Sequence, residues 1–356
     1  MNPLPLATPP KKILIIKPSA LGDIVHSLPF LDTVKRCYPD TSIHWVVARG
    51  LHTFLEGHPL IDRLWIFDKE KWKRPGNLLQ TLPELASLLS GLRRERFDVS
   101  VDLSGLLRSG LITMAANARY KLGFKEADEG SAYFYTHRIH GSMEIHAIDR
   151  YLKIAEAMGC KPGAIRYPFA PFAPTPAICK DLPAEYVVMT PSAGKEANRW
   201  PAERFGQLAA RLDLPSLLIG GKSDQGVADE VVSHGGGKAV SLAGKTSIKE
   251  LIPIIGKARY FITNDTGPMH IAAAMGVPVF AIFGPANPVR TGPYGENHTV
   301  IRADLPCSPC YAWKPCADWQ CMEALTVERV FTIIKEKEKT WREDRAQRTS
   351  VAENQA

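Results

Sequence analysis

The chain has 356 residues, of which 45% are hydrophobic and 23% charged, an ordinary composition for a folded globular protein. Its length favours two domains over one. No apolar run reaches the roughly 18–20 residues that span a bilayer. The Pro-rich residues 1–10 lack an apolar signal core, so we expect a cytoplasmic protein. The net charge of +7 favours an anionic ligand or membrane surface, and no nucleic-acid-binding motif is apparent.

The first half of the chain alternates predicted strands with predicted helices. The first strand, K-I-L-I-I-K, has the apolar character of a buried strand. Such alternation is typical of a doubly wound parallel α/β sheet. The predicted strands are 12–17, 42–48, 63–67, 98–103 and 121–124, and the predicted helices are 21–38, 78–94, 106–118 and 146–158.

The Pro-rich stretch 159–183 indicates an interdomain linker, after which the alternation begins again. Strands are predicted at 186–190, 216–220, 239–242, 260–263 and 279–283, and helices at 201–212, 225–233, 248–257, from about 268 and at 326–339. We therefore predict a Rossmann-like domain over 1–165, a linker over 166–184, a second Rossmann-like domain over 185–339 and a charged, disordered tail over 340–356. Ligands are expected at the carboxyl ends of the strands, in a cleft between the domains.

Segment 263–285 reads as strand, tight turn, helix and strand. Asp265 and Thr266 favour a helix N-cap, and Pro268 is tolerated in the first helical turn. A helix N-terminus at the end of a strand presents N–H groups and the positive end of the helix dipole, which suits a phosphate. His270 lies one turn into this helix and is placed to donate to the same anion. An ordinary capped helix is the alternative.

The first predicted strand ends in the loop 18–22, followed by Asp23 where a helix begins. This loop lacks the G-x-G-x-x-G fingerprint of dinucleotide-binding proteins, which disfavours a dehydrogenase. Gly22 permits close backbone approach, and a carboxylate at the mouth of the cleft can serve as a general base. Simple helix capping by Asp23 is the competing interpretation.

Four of the seven cysteines are spaced C-x2-C-x5-C-x4-C, at positions 307, 310, 316 and 321. In a cytosolic chain such a cluster suggests zinc, but the spacing differs from that of paired zinc knuckles. We expect reduced or redox-labile thiols here rather than a structural metal.

The chain resembles the heptosyltransferases of lipopolysaccharide core synthesis, the family 9 glycosyltransferases. Motifs that span residues 11–330 carry the resemblance in the order of the family. They are I-L-I-I-K-P-S-A-L-G-D-I-V-H-S-L-P at 13–29, V-D-L-S-G-L-L-R-S-G at 101–110, L-G-F at 122–124, H-A-I-D-R-Y-L at 146–152, P-S-A-G-K-E-A-N-R-W-P at 191–201, the turn at 263–285 and the cysteine segment 307–322.

The resemblance implies a GT-B fold and an inverting transfer of heptose from ADP-heptose to a lipid-linked Kdo or heptose acceptor of the lipopolysaccharide inner core. The acceptor would bind the N-terminal domain and the donor the C-terminal domain. We expect a monomer that is peripheral on the inner face of the cytoplasmic membrane. No cofactor or protein-bound metal is expected, although Mg²⁺ can accompany the nucleotide.

The resemblance also implies site residues. Asp23 matches the catalytic aspartate of the family, and Asp265, Thr266, Gly267 and His270 match its donor-binding turn. The family usually carries a lysine where this chain has Asn198, so Lys195 or Arg199 is expected to supply the missing cation. The other expected contacts are Ser192 and Gly194 for the diphosphate, Gly221 and Asp224 for the adenosine, and Ser19, Gly22 and Arg108 for the acceptor.

Several alternatives remain open from the sequence. An ordinary turn at Gly220-Gly221 and a solvated arginine at position 108 account for those residues without a ligand. A family member can use a different nucleotide-sugar or acceptor. A nucleotide-sugar epimerase on the same two-domain plan, or a binding module that has lost its chemistry, are the competing functions.

Overall fold

The computed structural model describes residues 8–68, 71, 78–172 and 177–353. The chain divides into two compact units, the first formed by Met1–Pro174 with Val289–Thr291 and the second by Thr175–Pro288 with Gly292–Ala356. Each unit contains a six-stranded sheet. Every pair of neighbouring strands in both sheets is parallel, as the alternating sequence pattern predicts.

The first sheet has the strand order β3-β2-β1-β4-β5-β6, with β1 and β4 at its centre. Ile13 to Ile16 of β1 are fully buried, as expected for a parallel strand covered on both faces. The strands are β1 Lys12–Ile16, β2 Ser42–Ala48, β3 Arg63–Phe67, β4 Val99–Asp102, β5 Tyr120–Phe124 and β6 His137–Ile139. The helices are α1 Leu21–Cys37, α2 His52–Leu55, α3 Leu78–Arg94, α4 Leu107–Ala115 and α5 Ala147–Ala157.

The register of the first sheet fixes which loops are neighbours. Ile16 of β1 pairs with Asp102 of β4, so the residues that follow both strands emerge at one edge. Lys17 and the start of α1 therefore lie beside the loop that leads from β4 into α4.

The second sheet repeats this plan, with the strand order β12-β11-β10-β7-β8-β9. Thr263 of β10 pairs with Thr190 of β7, which places the loops after these two strands side by side. The strands are β7 Val187–Thr190, β8 Ser216–Leu218, β9 Ala239–Ser241, β10 Phe261–Asn264, β11 Val279–Phe283 and β12 Thr299–Arg302. The helices are α6 Ala202–Arg211, α7 Gln225–His234, α8 Ile248–Gly256, α9 Gly267–Ala274, α10 Pro288–Thr291, α11 Gln320–Glu323 and α12 Val327–Glu353.

The last helix differs from the sequence prediction. A disordered tail is predicted from residue 340, whereas α12 continues to Glu353. Eight of residues 340–353 are Arg, Glu, Ala or Gln, which have high helix propensity. The ring of Trp341 lies 5.6 Å from that of Phe280 and 6.2 Å from that of Tyr260, so the helix packs on the second sheet at this residue. The predicted linker falls partly on residues 173–176, outside the described residues.

Six of the seven cysteines fall into two groups, and the seventh, Cys179, is a free thiol outside both. Cys37 at the end of α1 forms a disulfide with Cys160 after α5, a pairing that the sequence analysis did not anticipate. The thiols of the 307–321 cluster are free, and only Cys321 among them is buried. Burial raises the pKa of the Cys321 thiol, and the three neighbouring cysteines add to this effect. Among the described residues, no helix combines the length and the apolar character needed to cross a membrane.

Candidate active site

Asp23 lies in the first turn of α1, where its carboxylate accepts a hydrogen bond from the backbone N–H of Ala20 at 2.9 Å. Asp23 therefore caps the helix, in agreement with the capping interpretation of the sequence. The side chain nevertheless remains 37% exposed, so one face of the carboxylate is accessible to a ligand. Capping fixes the orientation of the carboxylate and is compatible with a role as a base.

Lys17 is the functional neighbour that the sequence analysis missed. Its ammonium lies 3.4 Å from the Asp23 carboxylate, and its side chain is only 6% exposed. It also donates to the carbonyl of Leu103 at 3.3 Å and lies over the ring of Tyr151. Burial alone would lower the pKa of Lys17, but the charge of Asp23 and the interaction with Tyr151 outweigh burial and raise it. Lys17 is thus a buried, charged partner of Asp23. A lysine directly after the apolar strand was the available sequence signal.

Asp102 organises the adjacent loop. Its buried carboxylate accepts hydrogen bonds from the backbone N–H groups of Ser104 and Gly105, at 2.8 and 3.0 Å, and from the hydroxyl of Tyr135 at 2.7 Å. Burial raises the pKa of Asp102, and these hydrogen bonds act in the opposite direction. Asp102 therefore holds the loop that leads to Arg108 at the start of α4.

Two of the three residues expected on the acceptor side line one cavity. Ser19 and Arg108 line the same cavity of about 40 Å³, together with Leu106 and Ser109. Arg108 is exposed, and Gly22 is buried in the first turn of α1. A guanidinium at the rim of this cavity suits a carboxylate or phosphate of a ligand.

The predicted donor turn has the expected backbone form. Thr266 is the N-cap of α9, which begins at Gly267. Within the described residues the Thr266 side chain makes no capping hydrogen bond, contrary to the expectation from N-cap preferences. The positive end of the α9 dipole is consequently not neutralised by its cap residue. His270, in the first turn, is 7% exposed.

The loops after β7 and β10 are joined by asparagine side chains. The amide nitrogen of Asn198 donates to the Asp265 carboxylate at 3.1 Å. Asn264 is fully buried; its side-chain oxygen accepts from the N–H of Trp200 at 3.0 Å, and its nitrogen donates to the carbonyl of Pro191 at 2.6 Å. These contacts place residues 191–200 beside the N-terminus of α9.

The loop after β7 presents a buried polar group. Ser192 is only 5% exposed, and among the described residues its hydroxyl has no hydrogen-bond partner. A Cβ added at Gly194 would contact nothing within 4 Å, so open space lies beside the loop. Because a buried hydroxyl without a partner is costly, this arrangement suits a bound polar ligand.

The two candidate cations differ in their contacts. The ammonium of Lys195 lies 4.9 Å from the ring centroid of Trp313. Arg199 donates through Nε to the carbonyl of Ala193 at 2.8 Å, and no other hydrogen bond of its guanidinium occurs within the described ranges. Arg199 therefore retains more donors for an anionic ligand than Lys195 does.

The Gly-Gly turn after β8 is held internally. The Asp224 carboxylate accepts from the N–H of Gly221 at 2.8 Å. A Cβ added at Gly220 would lie 2.8 Å from the Cβ of Asp224, so this close approach requires glycine. Asp224 thus has the structural role of closing the turn, and its contact with a nucleotide remains a prediction.

The described residues contain no group of three or more His, Cys, Asp or Glu side chains arranged to hold a metal ion. The four thiols at 307–321 are thus not arranged as a metal site in this part of the chain. The backbone N–H groups at the α9 N-terminus and the Ser192 hydroxyl are groups that suit an anion.

The chain has two Rossmann-like units, each with a parallel sheet. One unit carries a carboxylate at a helix start and the other a turn of the kind that binds phosphate. This combination is typical of nucleotide-sugar transferases with the GT-B fold. The chain is a glycosyltransferase: it belongs to glycosyltransferase family 9 (heptosyltransferase), whose model matches residues 85–317. The family resemblance inferred from the motifs is thereby confirmed.

Curated relatives cover most of the chain. The lipopolysaccharide core heptosyltransferase OpsX of Haemophilus influenzae is 25% identical over 309 residues, which are 84% of this chain and 86% of that protein. Lipopolysaccharide heptosyltransferase 1 of Escherichia coli K12 is 26% identical over 306 residues, 82% of this chain and 93% of that protein.

Solved structures show the same fold. E. coli heptosyltransferase WaaC with ADP superposes with a TM-score of 0.73 at 23% identity, covering 92% of this chain and 99% of that one. E. coli ADP-heptose lps heptosyltransferase II gives a TM-score of 0.74 at 22% identity, covering 92% and 98%. These similarities confirm the predicted GT-B fold.

Proposed function

We propose that the protein transfers heptose from ADP-heptose to a Kdo or heptose acceptor of the lipopolysaccharide inner core. Family membership and relatives named for this activity support the proposal. The structural observation that carries it is the joining of the β7 and β10 loops, which sets the buried Ser192 hydroxyl in the loop beside the α9 N-terminus. That arrangement matches what a leaving diphosphate requires.

Asp23 is the general base of the proposed reaction. Its carboxylate takes the proton of the acceptor hydroxyl while the acceptor oxygen forms a bond to the anomeric carbon of heptose. The bond between that carbon and the diphosphate oxygen breaks, and ADP leaves with the electron pair. Attack on the face opposite the diphosphate inverts the anomeric configuration. Lys17 holds the Asp23 carboxylate, and Arg108 with Ser19 contacts the acceptor.

The donor contacts fall to the second unit. The α9 N-terminus at Thr266 and Gly267, with Ser192, stabilises the charge on the departing diphosphate. His270 donates to the same group, and Arg199 supplies the cation. No protein-bound metal is required by this set of contacts, and Mg²⁺ enters only as a companion of the nucleotide.

The presence of Asn198 supports a second candidate, in which the donor is a different nucleotide-sugar. A neutral amide here alters the environment of the donor relative to the usual lysine. Both candidates share the acceptor chemistry of Asp23, so they are separated by the donor alone.

The test is incubation of the purified protein with ADP-heptose and a Kdo-lipid acceptor, with ADP-glucose and UDP-sugars in parallel. Transfer from ADP-heptose supports the first candidate, and transfer only from another donor supports the second. Isomerisation of a sugar without acceptor, or binding without turnover, would refute both. Sedimentation with and without acidic vesicles tests the proposed peripheral membrane association, and gel filtration tests the proposed monomer.

A further inference from the structure

We propose that Asn198 recognises a hydroxyl group of the sugar that is transferred, by accepting its hydrogen bond. The inference rests on the proposed function, because it requires a nucleotide-sugar donor at this site. It concerns the position at which this chain departs from the lysine that the family usually carries.

The orientation of the Asn198 amide is fixed by its neighbour. Its nitrogen donates to the Asp265 carboxylate at 3.1 Å. An ionised carboxylate only accepts hydrogen bonds, so the group that faces Asp265 must be the NH₂ and not the oxygen. The contact therefore settles which end of the amide is which, a choice that otherwise rests on the surrounding hydrogen-bond network.

The remaining end of the amide is an acceptor without a donor. Asn198 is 4% exposed, and its side-chain oxygen has no hydrogen-bond partner among the described residues. Leaving a buried acceptor unpaired costs free energy, which a ligand that brings an O–H or N–H group would recover. The unpaired oxygen is therefore evidence for a hydrogen-bond donor in the ligand.

The chemistry of the pair selects the ligand group. The Asp265 carboxylate and the Asn198 oxygen are both acceptors, so together they disfavour phosphate oxygens and favour hydroxyls. The phosphate-type groups lie elsewhere, at the α9 N-terminus and at the unpaired hydroxyl of Ser192. A nucleotide-sugar has several hydroxyls next to a diphosphate. Its hydroxyls fit the two acceptors, and its diphosphate fits the α9 N-terminus and Ser192.

A lysine at this position would have no acceptor to offer. Its ammonium can pair with Asp265 and can donate to an anion or a hydroxyl oxygen, but it cannot accept the hydrogen bond of a hydroxyl. Asn198 thus exchanges a cationic contact for recognition of a neutral hydroxyl, and the compensating cation falls to Arg199.

The experiment measures the affinity that the sugar adds to the nucleotide. Isothermal titration gives the dissociation constants of ADP and of ADP-heptose for the wild type, Asn198→Ala, Asn198→Lys and the exposed control Asn297→Ala. We expect the ratio of the ADP dissociation constant to the ADP-heptose dissociation constant to fall about fivefold in both Asn198 variants. The ratio should stay unchanged in the control. Retained ADP binding shows that a variant is folded.

A second arm varies the ligand and begins with the wild type. A series of ADP-heptoses, each lacking one hydroxyl, is titrated against the wild type, where one compound should bind about fivefold more weakly. Asn198→Ala should bind that compound and its parent equally well.

The outcomes separate the two proposals. If the variants weaken ADP and ADP-heptose equally, or if no hydroxyl couples to Asn198, the inference is overturned while the proposed function stands. If the wild type transfers no heptose from ADP-heptose, the proposed function fails and the inference fails with it.

Discussion

The ammonium of Lys17 lies 3.4 Å from the carboxylate of Asp23, and the two groups differ sharply in exposure. Lys17 is buried beneath the loop, whereas more than a third of the Asp23 side chain faces solvent. A buried cation thus holds the inner side of an accessible carboxylate. The carboxylate at the start of α1 is therefore both held in one orientation and accessible to a ligand.

Replacing Asp23 by Asn should reduce transfer by about 10²–10⁴-fold, the usual contribution of a general base. The amide is isosteric and its oxygen can still accept from the N–H of Ala20, so the loop should keep its form. ADP affinity should be nearly unchanged, because the proposed donor contacts belong to the second unit. Initial transfer rates and ADP titrations test both statements. Near-normal turnover in Asp23→Asn would exclude Asp23 as the base.

Replacing Lys17 by Met should lower kcat about tenfold or more, because a charge-assisted contact worth about 1.5–3 kcal/mol no longer orients Asp23. The thermal stability should fall only modestly, since the partly exposed carboxylate keeps solvent as a partner. The matched control is Lys11→Met, an exposed lysine next to β1. A primary amine added to Lys17→Ala should restore part of the rate. Equal kcat in the wild type and Lys17→Met would show that Lys17 serves packing alone.

The sequence predicted the central strands well because their signal is local. The bounds of β2, β3 and β11 agree with the structure, since each is an apolar run ended by polar or turn-forming residues. Strands β6 and β12 were missed. Both are short edge strands, with only part of each buried, so their apolar signal is weak.

The turns that carry the candidate site could be predicted from the sequence, but the side-chain contacts between those turns could not. Thr266 was placed at a helix start from capping preferences and Asp23 from the loop that follows the first strand, and the structure puts both there. The pairing of Asn198 with Asp265 joins residues 67 positions apart and depends on β7 lying next to β10. Strand order is a property of the whole sheet, so no local pattern reveals this contact. The same holds for the contact of Lys17 with Tyr151.

Stability should depend on pH through His58. Its Nε2 lies 2.8 Å from the carbonyl of Pro168, and its Nδ1 accepts from the N–H of Leu60 at 3.1 Å. Burial lowers the pKa of His58 below its usual value of 6.5, and the contact with Pro168 only partly opposes this. The unfolded chain therefore binds more protons than the folded one as pH falls below about 6.5. Stability from this group is complete above that pH and is lost below it.

The measurement is the free energy of unfolding in urea at pH 7.5 and pH 5.5. In His58→Asn the difference between the two values should be smaller than in the wild type, because asparagine can still accept from the N–H two residues ahead but does not titrate. His234→Asn, at an exposed histidine, is the control. An unchanged difference in His58→Asn would refute the assignment.

Replacing Asn264 by Asp should destabilise the second unit and weaken ADP binding together. The buried side chain bridges the N–H of Trp200 and the carbonyl of Pro191, so it must both accept and donate. A carboxylate can only accept, and it would face the Pro191 carbonyl oxygen with no proton between them. We expect a loss of about 1–3 kcal/mol in the free energy of unfolding.

ADP affinity should fall as well, because Asn264 fixes the loop that carries Ser192 beside α9. Asn297→Asp, at an exposed asparagine, should change neither quantity. Full ADP affinity in a destabilised Asn264→Asp would show that the position of this loop does not matter for the nucleotide.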